Sequence, residues 1–115
     1  MFRDEKGLEV EYREKMRGGD GTVAIRHLFP KDELGPHCRM MARITLPPGA
    51  SIGPHDHTGE RELYHIIRGK ACLEENGKTY TMVPGDSSIT GGGGVHALRN
   101  IGDEPLELLA VIVLD

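Results

Sequence analysis

The chain of 115 residues has no tryptophan and only two cysteines, Cys38 and Cys72. The two thiols stand far apart in sequence, so no disulfide framework is indicated, and free thiols in a reducing compartment are expected. Positive charge is not in excess. The formal net charge is −4, which leaves no basic footprint for nucleic acid. No apolar run approaches the ~20 residues that span a bilayer. The first residues, Met1-Phe2-Arg3-Asp4-Glu5-Lys6, are too charged for a signal peptide. A cytoplasmic protein with neither nucleic-acid nor membrane partners is therefore expected. Also missing are internal repeats, low-complexity stretches and any sustained 3.6-residue period, so helices are not expected to carry the fold.

What the chain does have is punctuation: sixteen glycines and seven prolines. Frequent turns between short apolar stretches favour an all-β barrel or sandwich, and the length suits one domain with one core. Residues 1–21 carry both signs of charge densely and end in Gly18-Gly19-Asp20-Gly21, a loop signal. They read as a charged arm with at most one short edge strand, at Leu8 to Tyr12. Strands are then predicted at Thr22 to Phe29, Cys38 to Leu46, Arg61 to Arg68, Lys70 to Glu75, Lys78 to Val83, Ser87 to Thr90, Val95 to Asn100 and Leu106 to Leu114. Asn76-Gly77 is a strong two-residue hairpin signal. It predicts Leu73 opposite Tyr80 and Ala71 opposite Met82. If Arg68-Gly69 is a similar turn, Tyr64 faces Leu73, and Tyr64, Leu73, Tyr80 and Met82 share one interior with Glu62.

Chemistry concentrates between Gly49 and Gly69. On an extended chain, residues i and i+2 point to one side. His55 and His57 then share a face that Asp56 does not, and Glu62 follows after a short turn. From Glu62 the same face continues through Tyr64 and Ile66, while His65 points away with Leu63 and Ile67. His96, on a separate segment, opens another same-face series with Leu98 and Asn100. Three imidazoles and one carboxylate suit a first-row divalent ion such as Mn, Fe, Co, Ni, Cu or Zn. An octahedral ion so held keeps two positions free, and its net positive charge favours an anionic or chelating oxygen ligand.

Other residues read as ordinary. His27, His37 and His65 have no such pattern around them. Cys72 reads as a small buried hydrophobe. Tyr64, Tyr80 and Met82 are more often core than substrate contacts. Gly91 to Gly94 has the glycine content of a phosphate loop but no following Lys-Ser/Thr. It is better read as backbone turning sharply or packing closely before His96.

These residues fall into two spaced motifs. Gly49, five residues, His55-Asp56-His57, four residues, Glu62, six residues and Gly69 resemble the first motif of the cupin family. Gly85, Gly91, Gly93, His96 and Asn100 match the second, with Gly91 standing where proline is usual. Together they span nearly half the chain. The resemblance implies a small single-domain cupin over residues 22–115, a double-stranded β-helix or jelly-roll-like antiparallel barrel with its site in the mouth. It implies His55, His57, Glu62 and His96 as ligands of one divalent transition metal, Mn, Fe, Ni or Zn. It also implies a homodimer, to which the N-terminal arm could add a strand.

The family spans dioxygenases, decarboxylases, isomerases, lyases and non-catalytic binding modules, and fold does not choose among them. The leading expectation is a metal-dependent enzyme acting on a small polar or anionic metabolite, with Tyr64 and Tyr80 as candidate proton or hydrogen-bond groups. The competing expectation is a module that binds or senses a sugar or carboxylate without turnover.

Overall fold

The computed structural model describes residues 1–115. Ten strands run in chain order: β1 (Glu9–Glu14), β2 (Thr22–His27), β3 (Cys38–Leu46), β4 (Ser51–His57), β5 (Glu60–Arg68), β6 (Ala71–Glu75), β7 (Lys78–Met82), β8 (Ser87–Gly91), β9 (Gly94–Asn100) and β10 (Leu106–Leu114). They form two sheets, one of six strands in the order β1-β2-β3-β10-β5-β8 and one of four in the order β4-β9-β6-β7. Every strand pairing is antiparallel.

The core lies between the sheets and follows from period-2 alternation. Along β10, Leu106, Leu108, Ala110 and Ile112 are buried while the residues between them are not. Ile44, Leu46, Tyr64 and Ile66 from the six-stranded sheet meet Ile52, Leu73, Met82 and Leu98 from the other. Between β6 and β7, Asn76 (φ 48°) and Gly77 (φ 82°) both adopt the positive φ of a type I′ turn. Leu73 pairs with Tyr80 and Ala71 with Met82, the register predicted from that turn.

The second predicted hairpin does not exist. β5 and β6 belong to different sheets, so the chain crosses the sandwich at Arg68-Gly69. Gly69 (φ 91°) allows the crossing by lying against the β10 entry. A Cβ there would come within 2.8 Å of the Pro105 carbonyl oxygen and 2.9 Å of Leu106 Cα. Tyr64 therefore pairs with Ala110 and Ser88, not with Leu73, although both side chains reach the same core.

The N-terminal segment is bound to the body of the protein. β1 pairs with β2 along its whole length, from Glu9 opposite His27 to Glu14 opposite Thr22. Arg3 pairs with Glu33 at 3.0 Å, and Arg43 with Glu5 at 2.5 Å.

A bulge in β4 sets the site. Against β9, Ile52 faces Leu98 and His55 faces His96, so three steps on β4 match two on β9. The extra residue switches which parity points inward. Ile52 reaches the core, and so do His55 and His57, with Asp56 exposed. Without the bulge, the face carrying Ile52 would carry Pro54 and Asp56.

Candidate metal centre

His55 and His57 project from β4, His96 from β9 directly opposite His55, and Glu62 from β5 in the other sheet. The centre thus bridges the two layers. His57, Glu62 and His96 are buried and His55 partly so. The potential ligand atoms of all four lie within 4.8 Å of one another. His96 Nε2 is the hub, 3.0 Å from His57 Nε2, from His55 Nε2 and from Glu62 Oε1. His57 Nε2 is also 3.0 Å from Glu62 Oε1, and His55 Nε2 is 3.7 Å from it.

These separations fit a cation better than a proton network. A neutral imidazole nitrogen offers one proton or one lone pair, so His96 Nε2 cannot hydrogen-bond three neighbours at once. Donors bonded at about 2.1 Å to a common ion, at right angles to each other, stand about 3.0 Å apart. The residues could therefore hold one divalent transition ion.

Each imidazole has a different support on its far side, as metal-binding histidines require. His55 Nδ1 donates to the Gly53 carbonyl at 2.8 Å. His57 Nδ1 lies 2.5 Å from Glu60 Oε2, and Arg39 grips Glu60 with two hydrogen bonds of 2.7 and 2.8 Å. His96 stacks on Tyr64, with ring centres 4.8 Å apart and planes 9° from parallel, and its Nδ1 is buried with no protein partner. Glu60 and Arg39 were not anticipated. Arg39 is distant in sequence, and a glutamate next to a metal motif has no signature of its own.

The same contacts shift the titrations. The Arg39 hydrogen bonds bring Glu60 down to about 2 against the opposing effect of burial, with His57 adding to the shift. Burial works against ionisation of Glu62, but three imidazole partners outweigh it and hold the carboxyl well below the usual range. The hydrogen bond to Glu62 raises His57, while burial lowers His96. Burial lifts the Tyr64 phenol well above its ordinary value, Glu62 adds to the effect, and Arg17 opposes it.

His55, His57 and Glu62 open on a cavity of about 170 Å³. Its floor and walls include Tyr64, Ile44 and Ile112, and its rim includes Glu11, Arg13, Arg17, His27 and Arg39. The N-terminal segment thus supplies part of the wall, and His27 takes part in it, 3.1 Å from Glu11. Sequence reasoning left His27 as ordinary because its partner sits on another strand.

Tyr80 lies elsewhere. It is 46% exposed and lines a separate cavity between the edge strands β7 and β8, with Leu73, Met82 and Ile89. Register put its ring on the inner face, but at a sheet edge that face opens to solvent. Cys72 is only half-buried, and neither cysteine is in a disulfide. Asn100 is fully employed as a latch. Its amide donates to the Leu46 and Glu104 carbonyls, and its side-chain oxygen accepts from the Gly102 amide.

Fold and site together define a class. Residues 42–112 match the family model of the cupin domain, and the chain belongs to the cupin family. It is 43% identical over 99 residues to a protein of Thermotoga maritima described as an oxalate-binding protein, covering 86% of this chain and 82% of that one. A solved structure from Thermotoga maritima, described as a predicted oxalate decarboxylase, superposes with a TM-score of 0.95 at 39% identity and full coverage of both chains. The polyketide cyclase RemF of Streptomyces resistomycificus shares the fold alone, with a TM-score of 0.79 at 18% identity over 100% of this chain and 80% of that chain.

Proposed function

We propose that this chain holds one divalent transition metal at His55, His57, Glu62 and His96 and binds a small carboxylate of the oxalate class there. The observation that carries the reading is the convergence of His55, His57 and Glu62 on His96 Nε2, with the first three lining a small cavity rimmed with guanidinium groups. A divalent ion in that position supplies a Lewis acid for carboxylate oxygens. The chain's own residues do the rest. Glu60, ionised between Arg39 and His57, fixes the His57 ring. Tyr64, kept protonated, supports His96 through its ring. The cavity holds roughly the volume of five or six waters, which admits a molecule of a few heavy atoms and excludes a sugar chain. The likeness to a protein described as oxalate-binding supports the same class of ligand.

The test is to load the metal-free protein with Mn, Fe, Ni or Zn in turn, measure bound metal, and titrate each form with oxalate by calorimetry. The expected result is one ion per chain and oxalate binding only in a loaded form. His96→Ala should lose the metal and keep the fold. Full metal content in His96→Ala would remove His96 from the centre and this reading with it.

Turnover of the bound anion, of decarboxylase or dioxygenase type, is a second reading favoured by one further observation. Glu11 and His27 pair on the cavity wall, and a carboxylate–imidazole pair can hold or pass a proton beside a ligand. Tyr64 is proposed as the hydrogen-bond group at the base, whereas Tyr80 has no part in it. Release of carbon dioxide and formate from oxalate without net oxygen uptake would support decarboxylation, and release of carbon dioxide with oxygen uptake would support oxidation. Tight binding without either product would leave the chain a binding module.

A further inference from the structure

Three guanidinium groups reach the cavity, and they are not equivalent. Arg13 is paired with Glu11 at 2.8 Å, and Arg39 is paired with Glu60 at 2.7 Å. Arg17 faces no carboxylate at ion-pair distance. It stands at the mouth with His55, His57, Glu62 and Tyr64 below it.

The backbone presenting Arg17 is unusual. Arg17 has φ 55° and Lys15 has φ 49°, a left-handed conformation that L side chains rarely adopt and that persists only where its surroundings enforce it. Here the enforcement is visible. The 3₁₀ turn Met16–Gly18 is seated on β4, the strand that carries His55 and His57. A Cβ on Gly53 would come within 2.1 Å of the Arg17 carbonyl oxygen, and one on Gly19 within 2.2 Å of the Ser51 carbonyl oxygen. Hydrogen bonds of 2.9 Å from the Ser51 amide to the Asp20 carbonyl and from the Asp20 amide to Ser51 Oγ close the contact. Two glycines thus let the turn and the ligand strand touch backbone to backbone, which fixes the root of Arg17 relative to the metal ligands.

The charges around the cavity suggest why. Arg13 and Arg39 are each neutralised by a neighbouring carboxylate. A divalent ion held by Glu62 leaves one net positive charge, which a monocarboxylate satisfies. The unpaired Arg17 supplies a second, which only a dianion satisfies. We propose that the Met16–Gly18 turn is built to hold Arg17 over the cavity as the anchor for the far carboxylate of a bound dianion, so that the site selects dicarboxylates over monocarboxylates. This rests on the metal and carboxylate reading above and adds the residue that decides between ligands. A guanidinium suits the role, because its planar fork meets a carboxylate with two parallel hydrogen bonds.

The experiment compares oxalate with glycolate, which offers the same two-oxygen grip through a carboxylate and a hydroxyl but lacks the far negative charge. Manganese-loaded wild type, Arg17→Gln and Arg17→Lys are titrated with each by calorimetry, with bound manganese measured in every sample. Loss of a charged hydrogen-bonding partner predicts about tenfold to a hundredfold weaker oxalate binding in Arg17→Gln, nearly unchanged glycolate binding and unchanged manganese content. Arg17→Lys, which keeps the charge and loses the fork, should fall between the two. Gly19→Ala, which forces the turn off β4, should reproduce the Arg17→Gln pattern with all four ligands intact. Wild-type oxalate binding that Arg17→Gln leaves untouched, or equal losses for both acids, overturns the anchor alone. A wild type that takes up none of Mn, Fe, Ni and Zn, or ignores oxalate in every loaded form, removes the anchor and the underlying reading together.

Discussion

Glu60 is a partly buried carboxylate whose main partner in the folded protein is Arg39, which bonds both of its oxygens, with His57 sharing Oε2. Through that chain it orients one ligand without being one. Glu60→Gln should lower metal affinity by about tenfold to a hundredfold, the usual cost of removing such a support, and competition with a chelator of known affinity measures it. The same residue sets a pH dependence. Its pKa is held at about 2, below the ordinary 4.5, so its ionised form stabilises the fold above pH 4.5, and that contribution fades as pH falls toward 2. In the metal-free protein, denaturant titrations of wild type and Glu60→Gln should show their widest gap near neutrality and a shrinking one on acidification. A gap that grew in acid would contradict the assignment. His57 has the opposite sign. Glu62 raises its pKa, so its contribution in the metal-free chain is complete below the ordinary 6.5 and fades as pH rises through the raised value. A metal ion competes for that proton, and affinity for the ion should climb over the same interval.

At the scale of the element, glycines decide where strands can go. Gly91 ends β8 where the resembling motif usually has proline, and the structure shows why a side chain is unwelcome. A Cβ there would come within 2.6 Å of Arg61 Cβ and 2.9 Å of the Glu60 carbonyl oxygen on β5. Gly91→Ala should push β8 away from β5 and destabilise the fold by about 1–3 kcal/mol, read as a lower denaturation midpoint with the metal site still able to fill. Gly92 (φ 64°) and Gly93 (φ 82°) then make the tight turn into β9. The close packing and the sharp turn expected of Gly91 to Gly94 are thus divided among neighbouring glycines. The β4 bulge is the other decisive local feature. The alternation of His55, Asp56 and His57 was legible in the sequence, but the parity switch after Ile52 was not, because a bulge is defined by the strand opposite.

At the scale of the whole molecule, the candidate centre ties the two sheets together. β4 and β9 bring three histidines from the four-stranded sheet, and β5 brings Glu62 from the six-stranded one. A bound ion should therefore stabilise the folded chain against separation of its layers. Free metal at a hundred times its dissociation constant contributes about 2.7 kcal/mol. Chelator should lower the unfolding midpoint of the loaded protein, and added metal should restore it. His96→Ala should show neither effect, and an equal shift in that variant would place the stabilising ion elsewhere.

The sequence by itself determined whatever local periodicity and turn chemistry control. These are the extents of most strands, the Asn76-Gly77 hairpin and its register, the inward series Glu62-Tyr64-Ile66 and His96-Leu98-Asn100, and the four candidate ligands. Period-2 alternation and left-handed turns are properties of neighbouring residues, so they can be read one segment at a time. Tertiary structure alone decided that Arg68-Gly69 crosses between sheets, that Tyr80 faces an open edge, and that Arg39 and Glu60 stand behind His57. It also brought Glu11, Arg13, Arg17 and His27 to the rim of the cavity. Each of those outcomes depends on a partner far away in the chain, and only the packing of one sheet on the other supplies it.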